Sequence, residues 1–138
     1  MIEYLLDTNT VIALVGRKSD SVLAHLDRVR PGAVGISSIV AHELYFGAYK
    51  SQKIEHNLET LRLLFADLAI LDFDQGDARA AGEVRAALAR KGTPIGLFDV
   101  LIAGQARHRG AILVTNNVGE FGRVEELRLE DWIGTAGS

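Results

Sequence analysis

Three carboxylates in this 138-residue chain stand where a charge is costly. Asp7 ends the apolar run Tyr4-Leu5-Leu6, so a core strand would stop on an acid. Glu43 has Val40 three residues before it, with Ile39 and Gly47 four residues to either side. At helical spacing it therefore shares the face that should turn inward, where a lone Glu is expensive unless paired or metal-bound. Asp99 follows the loop Thr93-Pro94-Ile95-Gly96 and precedes Ile102, Ala103 and Ala106 at helical spacing. A polar cluster, Thr115-Asn116-Asn117 with Glu120, follows the apolar residues 111–114. Each has an ordinary explanation when taken singly. Glu43 could neutralise an arginine or cap a buried polar group, Asp99 could cap a helix, and the asparagines could form a helix-starting turn.

Taken together they suggest a chemistry. Clustered carboxylates repel one another, and their pKa values rise unless a cation occupies the centre. The chain has no cysteine, and His25, His42, His56 and His108 show no ligand spacing. The cation that fits such donors is hard and oxygen-seeking, Mg²⁺ or Mn²⁺. A centre of that kind binds phosphate oxygens and polarises water for attack on a phosphodiester.

The elements that must position these groups are legible in outline. Residues 3–6, 33–36, 68–71 and 111–114 read as buried strands, each ending at a polar residue or cluster, with a short fifth strand near 127–129. Between them lie helical patterns over 19–29, 38–49 (opening on a Ser that can cap it), 55–65, 75–91 and 98–109. Gly92 and Gly110 close the last two. Apolar strands alternating with helices predict an α/β fold around a mainly parallel sheet. Ligands in such sheets bind beyond the carboxyl ends of the strands, which is where Asp7 falls.

Composition narrows the class. At 48% hydrophobic, 24% charged and 7% aromatic residues, the chain fits one folded domain, expected over residues 1–133 with a flexible tail at 134–138. Its start lacks the basic segment of a signal peptide, and no apolar run approaches the roughly 20 residues of a membrane helix. A cytoplasmic location is expected. The net charge of −3 does not advertise nucleic-acid binding, although a metal-loaded acidic pocket can sit beside a local basic surface. A zinc-protease reading of His42-Glu43 needs a histidine at Phe46. A haloacid-dehalogenase-like phosphatase needs a second acid where Asn9 stands. A non-catalytic binding scaffold would gain nothing from a costly acid cluster.

The stretches "YLLDTNTVIALV", "ISSIVAHELYFGAYKS", "EVRAALARKGTPIGLFDVLIAGQARHRG" and "LVTNNVGEFGRVEELRLEDW" run collinearly through nearly the whole chain. In order and spacing the chain resembles the PIN-domain ribonucleases, specifically VapC-type toxins of toxin–antitoxin pairs. The resemblance implies a PIN-like fold, its sheet flanked by helices on both faces. It implies that Asp7, Glu43 and Asp99 hold Mg²⁺ or Mn²⁺ and activate water for RNA cleavage. Thr8, Asn9, Thr115 and Asn116 would shape the pocket. The family often has a fourth acid just after that turn. Here Asn117 stands in its place, with Glu120 three residues on, either a further candidate ligand. An amide binds a cation more weakly than a carboxylate, so one tightly held ion is expected, with a second arriving with substrate. The resemblance further implies tRNA cut in the anticodon loop as substrate, a homodimer, and a VapB-type antitoxin. The antitoxin's tail would lie in a groove near Tyr45, Phe46, Tyr49, Leu58, Leu61 and Leu64. Basic residues available to RNA are Arg79, Arg85, Arg90, Lys91, Arg107 and Arg109, with Arg17 and Lys18 nearest to Asp7 in sequence.

Overall fold

The computed structural model describes residues 1–16, 20–30 and 32–133; Arg17, Lys18 and the tail 134–138 lie outside them. Five strands form one sheet, with β1 (Tyr4–Leu6), β2 (Val34–Ser37), β3 (Ala69–Leu71), β4 (Ile112–Val114) and β5 (Leu129–Glu130) in the order β3-β2-β1-β4-β5. All four pairings are parallel. The long helical connections between the short apolar strands supply what this needs, since parallel neighbours are joined by crossovers. From β1 the chain moves outward through β2 to β3, then returns across the sheet to β4 and β5. Right-handed crossovers then put α1 (Thr8–Val15), α2 (Asp20–Arg28), α3 (Ser38–Lys50) and α4 (Ile54–Asp67) on one face. They put α5 (Gln75–Arg90) and α6 (Leu97–His108) on the other.

The core lies where these layers meet β1 and β4: Leu5, Leu6, Val11, Ile36, Val40, Leu113 and Val114 are all essentially inaccessible to solvent. Strand β3 differs from the expectation of a buried strand. It pairs on one side only, as the sheet's edge, and Ala69 and Ile70 are exposed. The cap of α3 also differs by one residue. Ser37, the last residue of β2, accepts the Ile39 N–H at 3.0 Å, while the Ser38 hydroxyl accepts from the Phe73 amide. A short helix, α7 (Val118–Phe121), follows the asparagines, so that cluster does start a helix.

Helices α5 and α6 are joined unusually closely. A Cβ placed on Gly104 would lie 2.5 Å from the Ala81 Cα, so the two backbones touch and only glycine fits. At one end of this pair the buried Asp77 completes a capping box with Asp74, each carboxylate accepting the other's backbone N–H at 2.9 Å. Asp77 also accepts from Gln105 Nε2 at 3.0 Å and from Arg109 Nε and Nη2 at 3.1 and 2.8 Å. Burial pushes the Asp77 carboxyl up, but the Arg109, Asp74 and Gln105 donors outweigh it and hold it below the usual carboxylate range.

Candidate active site

The order in which the strands are laid across the sheet reverses at β1, which lies between β2 and β4, and there the carboxyl ends of the strands leave a crevice. Leu6 pairs with Val114, and the Asp7 N–H donates to the Val114 carbonyl at 3.0 Å, which sets Asp7 beside Thr115. Asp7 then caps α1: its Oδ1 accepts the Thr10 N–H at 2.9 Å. The carboxylate is 6% exposed and is fixed by its own helix. Glu43 comes from the second turn of α3, directly after β2. The Thr8 hydroxyl donates to its Oε1 at 2.8 Å, tying α3 to the start of α1. Asp99 is the third residue of α6 and does not cap it, since Gly96 holds that position without a side-chain hydrogen bond.

These groups converge. Asp7, Thr8, Asn9, Glu43, Asp99, Asn117 and Phe121 line one cavity of about 120 Å³. Asp99 registers the crowding: burial first, then the charges of Glu120, Glu43 and Asp7, push its carboxyl from 3.8 to about 6. Glu120 is held differently. Its Oε1 accepts the Gly96 N–H at 2.9 Å and its Oε2 the Asn117 Nδ2–H at 2.8 Å. These two donors hold it below the usual carboxylate range against a smaller effect of burial, with Arg123 assisting. Glu120 is thus a clamp between the loop before α6 and the start of α7, and the loop is the one that presents Asp99. A side chain at Gly96 would crowd that carboxylate, because its Cβ would lie 3.2 Å from Asp99 Oδ2.

Other sequence expectations fall elsewhere. Thr115 is fully buried, and its hydroxyl accepts the Asn117 N–H at 3.0 Å, shaping the turn from below. Asn116 is exposed and does not line the cavity. Three of the basic residues are already engaged: Lys91 with Glu125, Arg107 with Glu83, and Arg109 with Asp77. Tyr45, Phe46 and Tyr49 are exposed outside the nearest groove, which has about 480 Å³ and runs from Glu43 past Ile12, Leu44, Gly47, Ala48 and Leu61.

Residues 4–127 match the PIN domain family, and over 132 residues the chain is 45% identical to the tRNA(fMet)-specific endonuclease VapC of Shigella flexneri. That alignment spans 96% of this chain and 99% of the relative. The chain belongs to the PIN-domain family, in its VapC branch. Solved structures agree. The PIN domain superposes on DNA-bound VapBC from Salmonella typhimurium with a TM-score of 0.91 at 42% identity, covering 96% of this chain and 99% of that one. On Rickettsia felis VapBC2 bound to a promoter DNA fragment the TM-score is 0.87 at 39% identity, with the same coverage.

Within this PIN domain the oxygens of Asp7, Glu43 and Asp99 share a cavity without being drawn to ligand spacing. Among the described residues that spacing occurs at Asp74, Asp77 and His108. There, however, both Asp77 oxygens are already taken by Arg109, Gln105 and the Asp74 N–H, which makes the cluster a structural latch. Sequence reasoning missed Phe121 as a cavity wall and Gly96 as the partner of Glu120. The spacing of Phe121 and Val124 after Asn117 was a signal for the first. Nothing local signals the second, because 24 residues separate Gly96 from Glu120.

Proposed function

We propose that this chain is the toxin of a VapBC-type pair: a Mg²⁺- or Mn²⁺-dependent endoribonuclease of the cytoplasm that cuts tRNA in the anticodon loop. The observation that carries this reading is the cavity holding Asp7, Glu43 and Asp99 at the sheet's switch point, where the Asp99 carboxyl is pushed to about 6. The donor set fits a hard divalent cation, for it consists of carboxylate, hydroxyl and amide oxygens with no sulfur or imidazole. Such a cation supplies Lewis acidity, neutralising phosphate charge and lowering the pKa of water.

The chain's own groups would divide the remaining work. Asp7, immobilised through Oδ1 by its helix cap, and Asp99, held by the clamped Gly96 loop, would be the principal ligands. Glu43, oriented by the Thr8 hydroxyl, would hold and deprotonate the attacking water or reach the ion through water. Thr8 and Asn9 would set hydrogen bonds at the rim. Asn117 offers only an amide, and its Nδ2 is committed to Glu120, which supports one tightly held ion. The groove that opens from Glu43 is a suitable seat for an antitoxin segment, whose basic side chain would enter the acidic cavity. A homodimer is part of the same reading.

The test is cleavage of a cellular tRNA pool by the purified, antitoxin-free chain in Mg²⁺ or EDTA. Asp7→Ala and Asp99→Ala are each expected to lower cleavage at least 100-fold, as loss of a metal ligand or of electrostatic stabilisation does. Discrete cuts that need metal and vanish in both variants support the reading. Equal cutting by variants and wild type would expose a contaminant, and no cutting of any RNA would leave a binding scaffold.

A further inference from the structure

The outward side of α3 carries a line of rings that begins beside the acidic cavity. His42, Phe46 and Lys50 recur every four residues, so they lie one above another on the helix. All three are exposed, Phe46 over 61% of its surface. Near the cavity His42 faces Phe98, the ring centres 5.7 Å apart and the planes tilted by 55°. At the far end the Lys50 ammonium lies 5.7 Å from the centre of the Phe46 ring. Placement of the first pair follows from the acids, for His42 immediately precedes Glu43 and Phe98 immediately precedes Asp99. Phe98 is 43% exposed on a helix that buries Val100, Ile102, Ala103 and Ala106.

Aromatic surface left in water on this scale gives up folding free energy and marks a face that meets something else. Nucleobases offer a π-face whatever their identity, and they stack on aromatic side chains while a cation holds the backbone phosphate. A phosphodiester positioned at Asp7 and Asp99 would carry its flanking bases out of the cavity onto the adjoining rings. From His42 to Lys50 is about 12 Å along the helix axis, enough for a short run of single strand. Resting on the nuclease reading above, we infer that Phe98, His42, Phe46 and Lys50 form a stacking track for the single-stranded nucleotides next to the scissile phosphate. A second copy of the chain is the other occupant for such a face. The terminal lysine argues for the polyanion: among the described residues Lys50 lies over the Phe46 ring and makes no ion pair, and a backbone phosphate would supply its counter-charge. The groove past Leu44, Gly47 and Ala48 lies on another side of α3, so this track does not compete with it.

The experiment uses Asp7→Ala as the background, so that RNA is bound without being cut, and measures the anisotropy of a fluorescein-labelled single-stranded RNA in Mg²⁺. Adding Phe98→Ala should weaken binding by about 5–150-fold, the loss of one stacked base. Phe98→Leu should lose as much, since it keeps apolar area without a π-face, and Phe98→Tyr should restore binding. Leucine binding as well as phenylalanine would overturn the inference. So would Phe98→Ala dissociating a dimer in sedimentation while leaving RNA affinity unchanged, because the face would then join copies of the chain. Cleavage by the wild-type chain is scored separately. If it is absent while the Phe98 series behaves as expected, the nuclease reading fails and the track stands as a binding surface.

Discussion

At the scale of single residues, Asp99 stands out among the described groups, for its surroundings disfavour the ionised carboxyl. Its folded carboxyl titrates at about 6 rather than 3.8, raised by burial and by Glu120, Glu43 and Asp7. The folded state therefore keeps a proton that the unfolded chain releases. Asp99's contribution to stability is full below about 3.8 and is lost as the pH rises through about 6. A divalent cation reverses that preference by favouring the ionised form. Mg²⁺ is expected to raise the melting temperature clearly at pH 7.5 and to lose this effect as the pH falls below 6. Melts with and without Mg²⁺ check this, and equal protection at pH 5 would contradict it. Glu120 is the leading charge in the shift, yet its oxygens are occupied by Gly96 and Asn117. Glu120→Gln keeps an acceptor for the Gly96 N–H and removes the charge, so the Asp99 titration followed by NMR should move downward. Glu120→Ala also frees the loop and should cost about 1 kcal/mol in denaturant unfolding.

At the scale of elements, the crossing of α5 and α6 fixes where Asp99 begins its helix. Gly104 lets the backbones meet at Ala81, and the Asp77–Arg109–Gln105 latch pins one end. Gly104→Ala is favourable to the isolated helix by propensity, by about 1 kcal/mol. Here it forces the helices apart, and the expected net outcome is a loss of about 1–3 kcal/mol, measured by chemical denaturation. Unchanged stability would mean that the pair separates freely. Because α6 carries Asp99, the RNA cleavage proposed above should fall along with stability in this variant.

At the scale of the whole molecule, the chain's last described residues close the domain. The match to the PIN family ends at residue 127, but the lone tryptophan, Trp132, is 1% exposed and belongs to the core. Its ring stacks on His25 of α2 at 5.3 Å and meets Tyr4 of β1 at 5.4 Å, while its Nε1 donates to Glu130 at 2.8 Å. Trp132→Ala is expected to cost about 3–5 kcal/mol. In the wild-type chain, unfolding followed by tryptophan fluorescence should coincide with unfolding followed by circular dichroism. An earlier fluorescence transition would show that this closure opens on its own. The sequence alone determined the alternation of strands and helices, because periods of two and 3.6 are written locally in the apolar residues. It also determined that Asp7, Glu43 and Asp99 end or face core elements, since a costly carboxylate stands out against an apolar pattern. It could not decide that β3 is an exposed edge, that Asn116 turns outward, or that Arg109 is spent on Asp77. Nor could it place Glu120 on Gly96 or His42 against Phe98. Each of those depends on which segments meet across tens of residues, and only the tertiary packing of sheet and helices brings them within hydrogen-bond or ring distance.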